Sequence, residues 1–131
     1  MIRYLTVAEV IELHRAILSR MGERLEPLRD EGLLESALMR AQTAAYYEDA
    51  DLTTQAVLMA VGISQNRPFV DGNKRAAFVT LDVFLRVNGL EFRGDSLELA
   101  VRIERIAEDR EHRAEATLDF ARWLRARVEP R

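Results

Sequence analysis

Apolar residues recur at helical spacing along almost the whole chain, and none of its three prolines falls inside a segment so marked. That period leaves room for helices packed on one another and for little else. Thr6-Val7-Ala8-Glu9 reads as a capping box, in which the Thr6 hydroxyl accepts from the Glu9 amide and the Glu9 carboxylate reaches back. Val10, Ile11, Ile17, Leu18 and Met21 form the apolar stripe behind it, and Gly22 is a stop. Asp30 caps a second helix, where Leu33, Leu34, Ala37, Leu38 and Ala41 recur. The residues between, Gly22 to Pro27, read as a loop.

A third helix begins between Asp51 and Thr54 and runs to about Gln65. Its Ala56, Val57, Met59, Ala60 and Ile63 leave few polar positions, so it is expected to be largely buried. Pro68 breaks the pattern. The next helix opens near Asn73, runs to about Asn88 with Gly89 as its stop, and is apolar on most sides, which predicts the central helix of the fold. Asp95-Ser96-Leu97-Glu98 resembles a second capping box, leading into Leu99, Val101, Ile103 and Ile106. A last helix spans roughly Ala114 to Val128, with Leu118, Ala121 and Leu124 facing in and Phe120 and Trp123 assigned to packing. The charge run Glu108 to Arg113 reads as solvated surface. Glu91-Phe92-Arg93 and Tyr46-Tyr47 allow short extended pieces at most. The expectation is an all-α, single-domain bundle of about six helices around a buried central helix.

At 131 residues the chain has the size of one domain and needs no metal or disulfide staple. It has no cysteine, which removes disulfides, thiolate nucleophiles and cysteine-held zinc. Lys and Arg number 19 against 22 Asp and Glu, so the basic excess of a general nucleic-acid binder is missing and no direct nucleic-acid partner is expected. Met1 to Arg15 lack the apolar core of a secretory signal, and no apolar run reaches the ~20 residues of a membrane span. A cytoplasmic location with no membrane partner is the expectation.

One segment is not explained by packing: Arg67-Pro68-Phe69-Val70-Asp71-Gly72-Asn73-Lys74-Arg75, between the two most apolar helices. Taken singly, Asp71 or Asn73 caps a helix and Gly72 makes a turn. Taken together, the residues suit a phosphate site. A turn feeding a helix N-terminus presents free amides and the positive end of the helix dipole. Lys74 and Arg75 oppose that dipole unless an anion offsets them. Asp71 is a hard oxygen ligand able to hold Mg²⁺ between phosphates, Asn73 adds a donor and an acceptor, and Phe69 anchors the loop. The set fits a Mg²⁺-nucleotide.

Phe69-Val70-Asp71-Gly72-Asn73-Lys74-Arg75 resembles the loop of the Fic/Doc family in its death-on-curing (Doc) toxin branch, whose pattern is His-x-Phe-x-Asp/Asn-Gly/Ala-Asn-Lys-Arg. Arg29 to Leu38, Tyr4-Leu5-Thr6 and Phe84 to Gly89 also resemble segments of Doc-like proteins. The AMP-transferring branch carries Gly where this chain has Lys74 and a second Arg where it has Phe78. The resemblance therefore implies the Doc branch: a toxin that moves phosphate from Mg-ATP to a threonine of elongation factor Tu, with a Phd-type antitoxin as partner. It implies Asp71 as Mg²⁺ ligand or orienter of the acceptor, and Gly72, Asn73, Lys74 and Arg75 as the nucleotide-binding residues. Tyr46 to Asp51 stand either as a flap over the target or as an ordinary connection.

The family's catalytic His belongs at position 67, which is Arg67 here. A guanidinium stays protonated and cannot take a proton from a hydroxyl. The two histidines, His14 and His112, are read as surface residues and neither is assigned as a base. Three accounts of Arg67 stand open: a change that disables a toxin lethal to its host, a natural pseudoenzyme that still binds nucleotide or antitoxin, or transfer with Asp71 as a weak base or with help from the substrate. Three classes follow: an enzyme, a binding module without turnover, and a helical domain whose loop holds structural phosphate.

Overall fold

The computed structural model describes residues 1–23 and 28–131. Residues 24–27 of the expected loop lie outside the described residues. Among the described residues the chain forms α1 (Val7–Arg20), α2 (Glu31–Glu48), α3 (Leu52–Asn66), α4 (Asn73–Val87), β1 (Leu90–Phe92), α5 (Ser96–Glu108), α6 (Arg113–Arg125) and β2 (Val128–Pro130). The all-α expectation holds, with one small two-stranded sheet added.

The caps form at the predicted residues, but only Thr6 and Glu9 close a reciprocal box; the Glu98 side chain pairs with Arg102 instead of reaching back to Asp95. Thr6 Oγ1 accepts from the Glu9 amide at 3.1 Å, and Glu9 Oε1 accepts from the Thr6 amide at 3.0 Å. Asp30 accepts from the Leu33 amide at 3.1 Å, Asp51 from that of Thr54 at 2.9 Å, and Asp95 from that of Leu97 at 2.8 Å. Each satisfies an amide that the first helical turn leaves without a partner. α4 has no side-chain cap; Gly72 precedes it in the left-handed conformation.

The central helix is α3, not α4. α3 packs against α2, α4, α5 and α6, and nine of its residues are buried. Its small side chains explain this, since Ala56, Ala60 and Gly62 let neighbours approach closely. A Cβ added at Gly62 would meet Ala37 Cα and Cβ of α2 at 3.1 Å. α4 lies against α3 and α1 and keeps Lys74, Asp82 and Arg86 toward its solvent side. Phe69, Phe84 and Phe120 are fully buried, each contributing about 1.5–3 kcal/mol.

Three further expectations change. Tyr46 and Tyr47 are the last turn of α2, both exposed, rather than an extended piece. α6 stops at Arg125, and Val128–Pro130 pairs antiparallel with β1, with Leu90 opposite Pro130 and Phe92 opposite Val128. Leu118 is exposed, not inward: Thr117, Phe120, Ala121 and Leu124 make the buried stripe of α6, and Leu118 sits about 100° from Thr117 around the helix. Trp123 packs as expected, between the guanidinium groups of Arg102 and Arg127.

Candidate active site

The segment from Arg67 to Asn73 joins α3 to α4 and is held from two sides. α2 and the residues before it hold the first half. The Arg29 guanidinium donates to the Arg67 carbonyl at 2.7 and 3.0 Å and to the Asn66 carbonyl at 3.0 Å. The backbone amides of Arg29 and Asp30 donate to the Pro68 carbonyl at 2.6 and 3.0 Å. Asn66 Nδ2 donates to the Leu33 carbonyl at 2.9 Å. Arg67 caps α3 in the left-handed conformation, with φ 50° and ψ 57°. That conformation strains a side-chain-bearing residue.

α1 holds the second half through His14. This side chain is buried, against the expectation of a surface residue. Its ring stacks on Phe69, with centroids 3.8 Å apart and planes 12° apart. Its Nε2 lies 2.8 Å from the Asp71 carbonyl. A carbonyl only accepts, so the proton sits on Nε2. Burial pushes the His14 pKa down, outweighing the Asp71 carbonyl and charge, which push it up. A Cβ on Gly72 would come 2.9 Å from His14 Nε2, and Gly72 has φ 78°, so glycine is required twice over. The signal for His14 was present: Val10, His14 and Leu18 follow one another at intervals of four on one face of α1. His112 is exposed, at the residue before α6, and takes no part.

Asn73 closes the loop. Its Oδ1 accepts from the Phe69 amide at 2.9 Å, and its Nδ2 donates to the Phe69 carbonyl at 2.9 Å. The side-chain amide is thus engaged by backbone, and the group Asn73 retains for a ligand is its own N–H. The amides of Asn73, Lys74 and Arg75 are in the first turn of α4 and have no intrahelical acceptor.

Arg67, Asp71, Gly72, Asn73, Lys74 and Arg75 come together around one cleft of about 490 Å³, which Glu23 and Ser64 complete. Phe69 is buried beneath it. Lys74 Nζ pairs with Glu104 Oε1 of α5 at 2.7 Å, and Arg75 pairs with Glu23. Among the described residues Arg67 has no carboxylate partner. Asp71 Oδ1 accepts from the Gly72 amide at 2.7 Å, which leaves Oδ2 for a ligand. No group of three His, Cys, Asp or Glu able to hold a metal occurs among the described residues. One carboxylate fits Mg²⁺ only as an ion shared with phosphates, which is how Mg²⁺ commonly binds beside nucleotides. Tyr46 to Asp51, read either as a flap or as an ordinary connection, are the end of α2 plus a short turn through left-handed Asp49, tied down where Asp51 accepts from Arg125 Nε at 2.8 Å.

A sequence model of the Fic/DOC family matches residues 4–85, which hold α1 to α4 and the whole loop. The chain belongs to the Fic/Doc family. It is 36% identical over 99 residues to the protein kinase doc of Escherichia phage P1, covering 75% of this chain and 77% of that protein. It is 37% identical over 70 residues to the toxin Doc of Mycolicibacterium smegmatis, covering 52% of this chain and 54% of that protein. Both relatives are of the Doc branch. The Fic/Doc loop is therefore carried by the braces described here, with a guanidinium at position 67. α5, which supplies the partner of Lys74, lies beyond the matched segment.

Proposed function

We propose that this chain is a Doc-type toxin of a toxin–antitoxin pair, built to pass phosphate from Mg-ATP to a protein hydroxyl and halted before transfer by Arg67. The observation that carries the reading is the cleft itself: cations and first-turn amides of α4 converge on it, and no proton acceptor stands at position 67. The names of the two relatives, a toxin and a protein kinase, support the same direction.

In this reading the amides of Asn73 to Arg75, with Lys74 and Arg75, bind the phosphates and offset their charge. The ion pairs to Glu104 and Glu23 open as phosphate replaces carboxylate. Asp71 would hold Mg²⁺, which would supply positive charge to offset that of the phosphates. His14, Phe69 and Asn73 keep Asp71 and the turn in place. Transfer forms a bond from the acceptor oxygen to the γ-phosphorus, breaks the bond to ADP and releases the hydroxyl proton. In the Doc branch a His at position 67 accepts that proton, and Arg67 cannot. The acceptor is a threonine of elongation factor Tu, the partner is a Phd-type antitoxin, and both belong to the cytoplasm. Retained binding without turnover is the second reading, favoured by Arg67 alone.

Paired expression of this chain and Arg67→His without antitoxin tests the proposal. The expected result is growth arrest and one added phosphate on elongation factor Tu with Arg67→His only. An AMP-sized adduct assigns the chain to nucleotide transfer instead. No effect from either version overturns the kinase reading and leaves the binding module.

A further inference from the structure

Resting on that reading of the cleft, we infer that Arg67 is itself a phosphate-binding residue, and that with Lys74 and Arg75 it makes the cleft a receptor for a polyphosphate chain that does not require a metal ion.

Three observations lead there. First, Arg67 is delivered from a fixed point. Its carbonyl is held by two bonds from Arg29, and its backbone ends α3 in a strained conformation, while its side chain is exposed and lines the cleft. Lys74 and Arg75 enter the same cleft from the start of α4, so the cations come from two different elements. Second, the charges are unequal. Glu104 and Glu23 already answer Lys74 and Arg75, whereas Arg67 has no carboxylate partner among the described residues. An arriving anion displaces no carboxylate of the described residues at Arg67, whereas at Lys74 and Arg75 it must displace one. Third, the metal-binding capacity is small among the described residues: of the two carboxylates lining the cleft, Glu23 is paired with Arg75 and Asp71 has one oxygen already on an amide.

The chemistry of position 67 follows from its functional group. A neutral imidazole can take a proton but offers phosphate one donor. A guanidinium takes no proton and presents a planar fork that binds two phosphate oxygens at once, with full charge at any ordinary pH. Arg67 thus exchanges proton acceptance for phosphate affinity and supplies positive charge that Mg²⁺ would otherwise bring. The groups named here contact phosphate only, so a nucleoside triphosphate and inorganic tripolyphosphate share the chemistry they recognise.

Calorimetric titration of the full chain with ATP and with sodium tripolyphosphate, each in EDTA and in Mg²⁺, tests this. The expected result is binding in EDTA, weakened about tenfold by Arg67→Gln, partly recovered by Arg67→Lys, and less salt-dependent in Arg67→Gln. Unchanged helicity and melting of Arg67→Gln verify folding. Affinity in EDTA equal to that of the unsubstituted chain in Arg67→Gln, together with a loss in Lys74→Ala, overturns the role of Arg67 and keeps the cleft. No change in either variant, or no binding at all, overturns the reading of the cleft as well. ATP binding without tripolyphosphate binding overturns the polyphosphate class in favour of a nucleotide.

Discussion

His14 ties α1 to the loop with one ring, by stacking on Phe69 and by a hydrogen bond to the Asp71 carbonyl. Burial favours the neutral ring in the folded chain, so its pKa lies below the ~6.5 at which the unfolded chain takes up a proton. Folding stability from the neutral ring is therefore complete above that pH and declines as pH falls through it toward the lower native value. Urea unfolding at pH 5 and pH 7.5 is expected to give the lower midpoint at pH 5. His14→Phe keeps the stack, loses the hydrogen bond at a cost of about 1 kcal/mol at pH 7.5, and narrows the difference between the two midpoints. An unchanged difference would assign the pH dependence elsewhere. Most of the loop was legible residue by residue, because Gly72, Asn73, Lys74 and Arg75 are types that packing does not call for. What was not legible is the division of labour. Asn73 serves Phe69 with both ends of its amide, and a bond within the loop leaves no trace in spacing.

Between elements, the cleft is crossed by carboxylates that come from outside the loop. Glu23 follows the α1 terminus, where its amide donates to the Leu18 carbonyl at 3.0 Å, and its side chain meets Arg75. Both side chains are partly exposed, so the pair contributes little to stability. It competes directly with an incoming anion. Glu23→Gln is expected to tighten ATP binding about three- to fivefold in the same titration with no loss in melting temperature; weaker binding would mean that Glu23 contacts the ligand. Helix starts were readable because Thr6, Asp30, Asp51 and Asp95 cap by local chemistry. β2 was hidden because its partner strand lies almost forty positions earlier and its three residues carry no alternation. The rank of α3 over α4 was hidden too. Apolar content alone does not distinguish a helix surrounded on all sides from one with a solvent face, whereas the alanines and glycine of α3 do.

For the molecule as a whole, α3 joins α2 and α4 to α5 and α6, while α1 and the sheet reach it through α4. Trp123, the single tryptophan, sits on α6, beside Phe92 and Phe120 and between Arg102 and Arg127. Because α2, α4, α5 and α6 all pack on α3, Trp123 fluorescence and far-UV helicity are expected to be lost at one denaturant midpoint. A tryptophan transition at lower denaturant would divide the chain into two cooperative units. The meeting of Gly62 with Ala37 sets the distance between α3 and α2, and α2 follows directly on Arg29, whose side chain grips the carbonyls of residues 66 and 67. Gly62 is in that sense a fulcrum. One added methyl group there would lever α2 outward and loosen the grip on Arg67 from the far end. Drift in the cleft's affinity can therefore arise from a buried position that touches none of its walls.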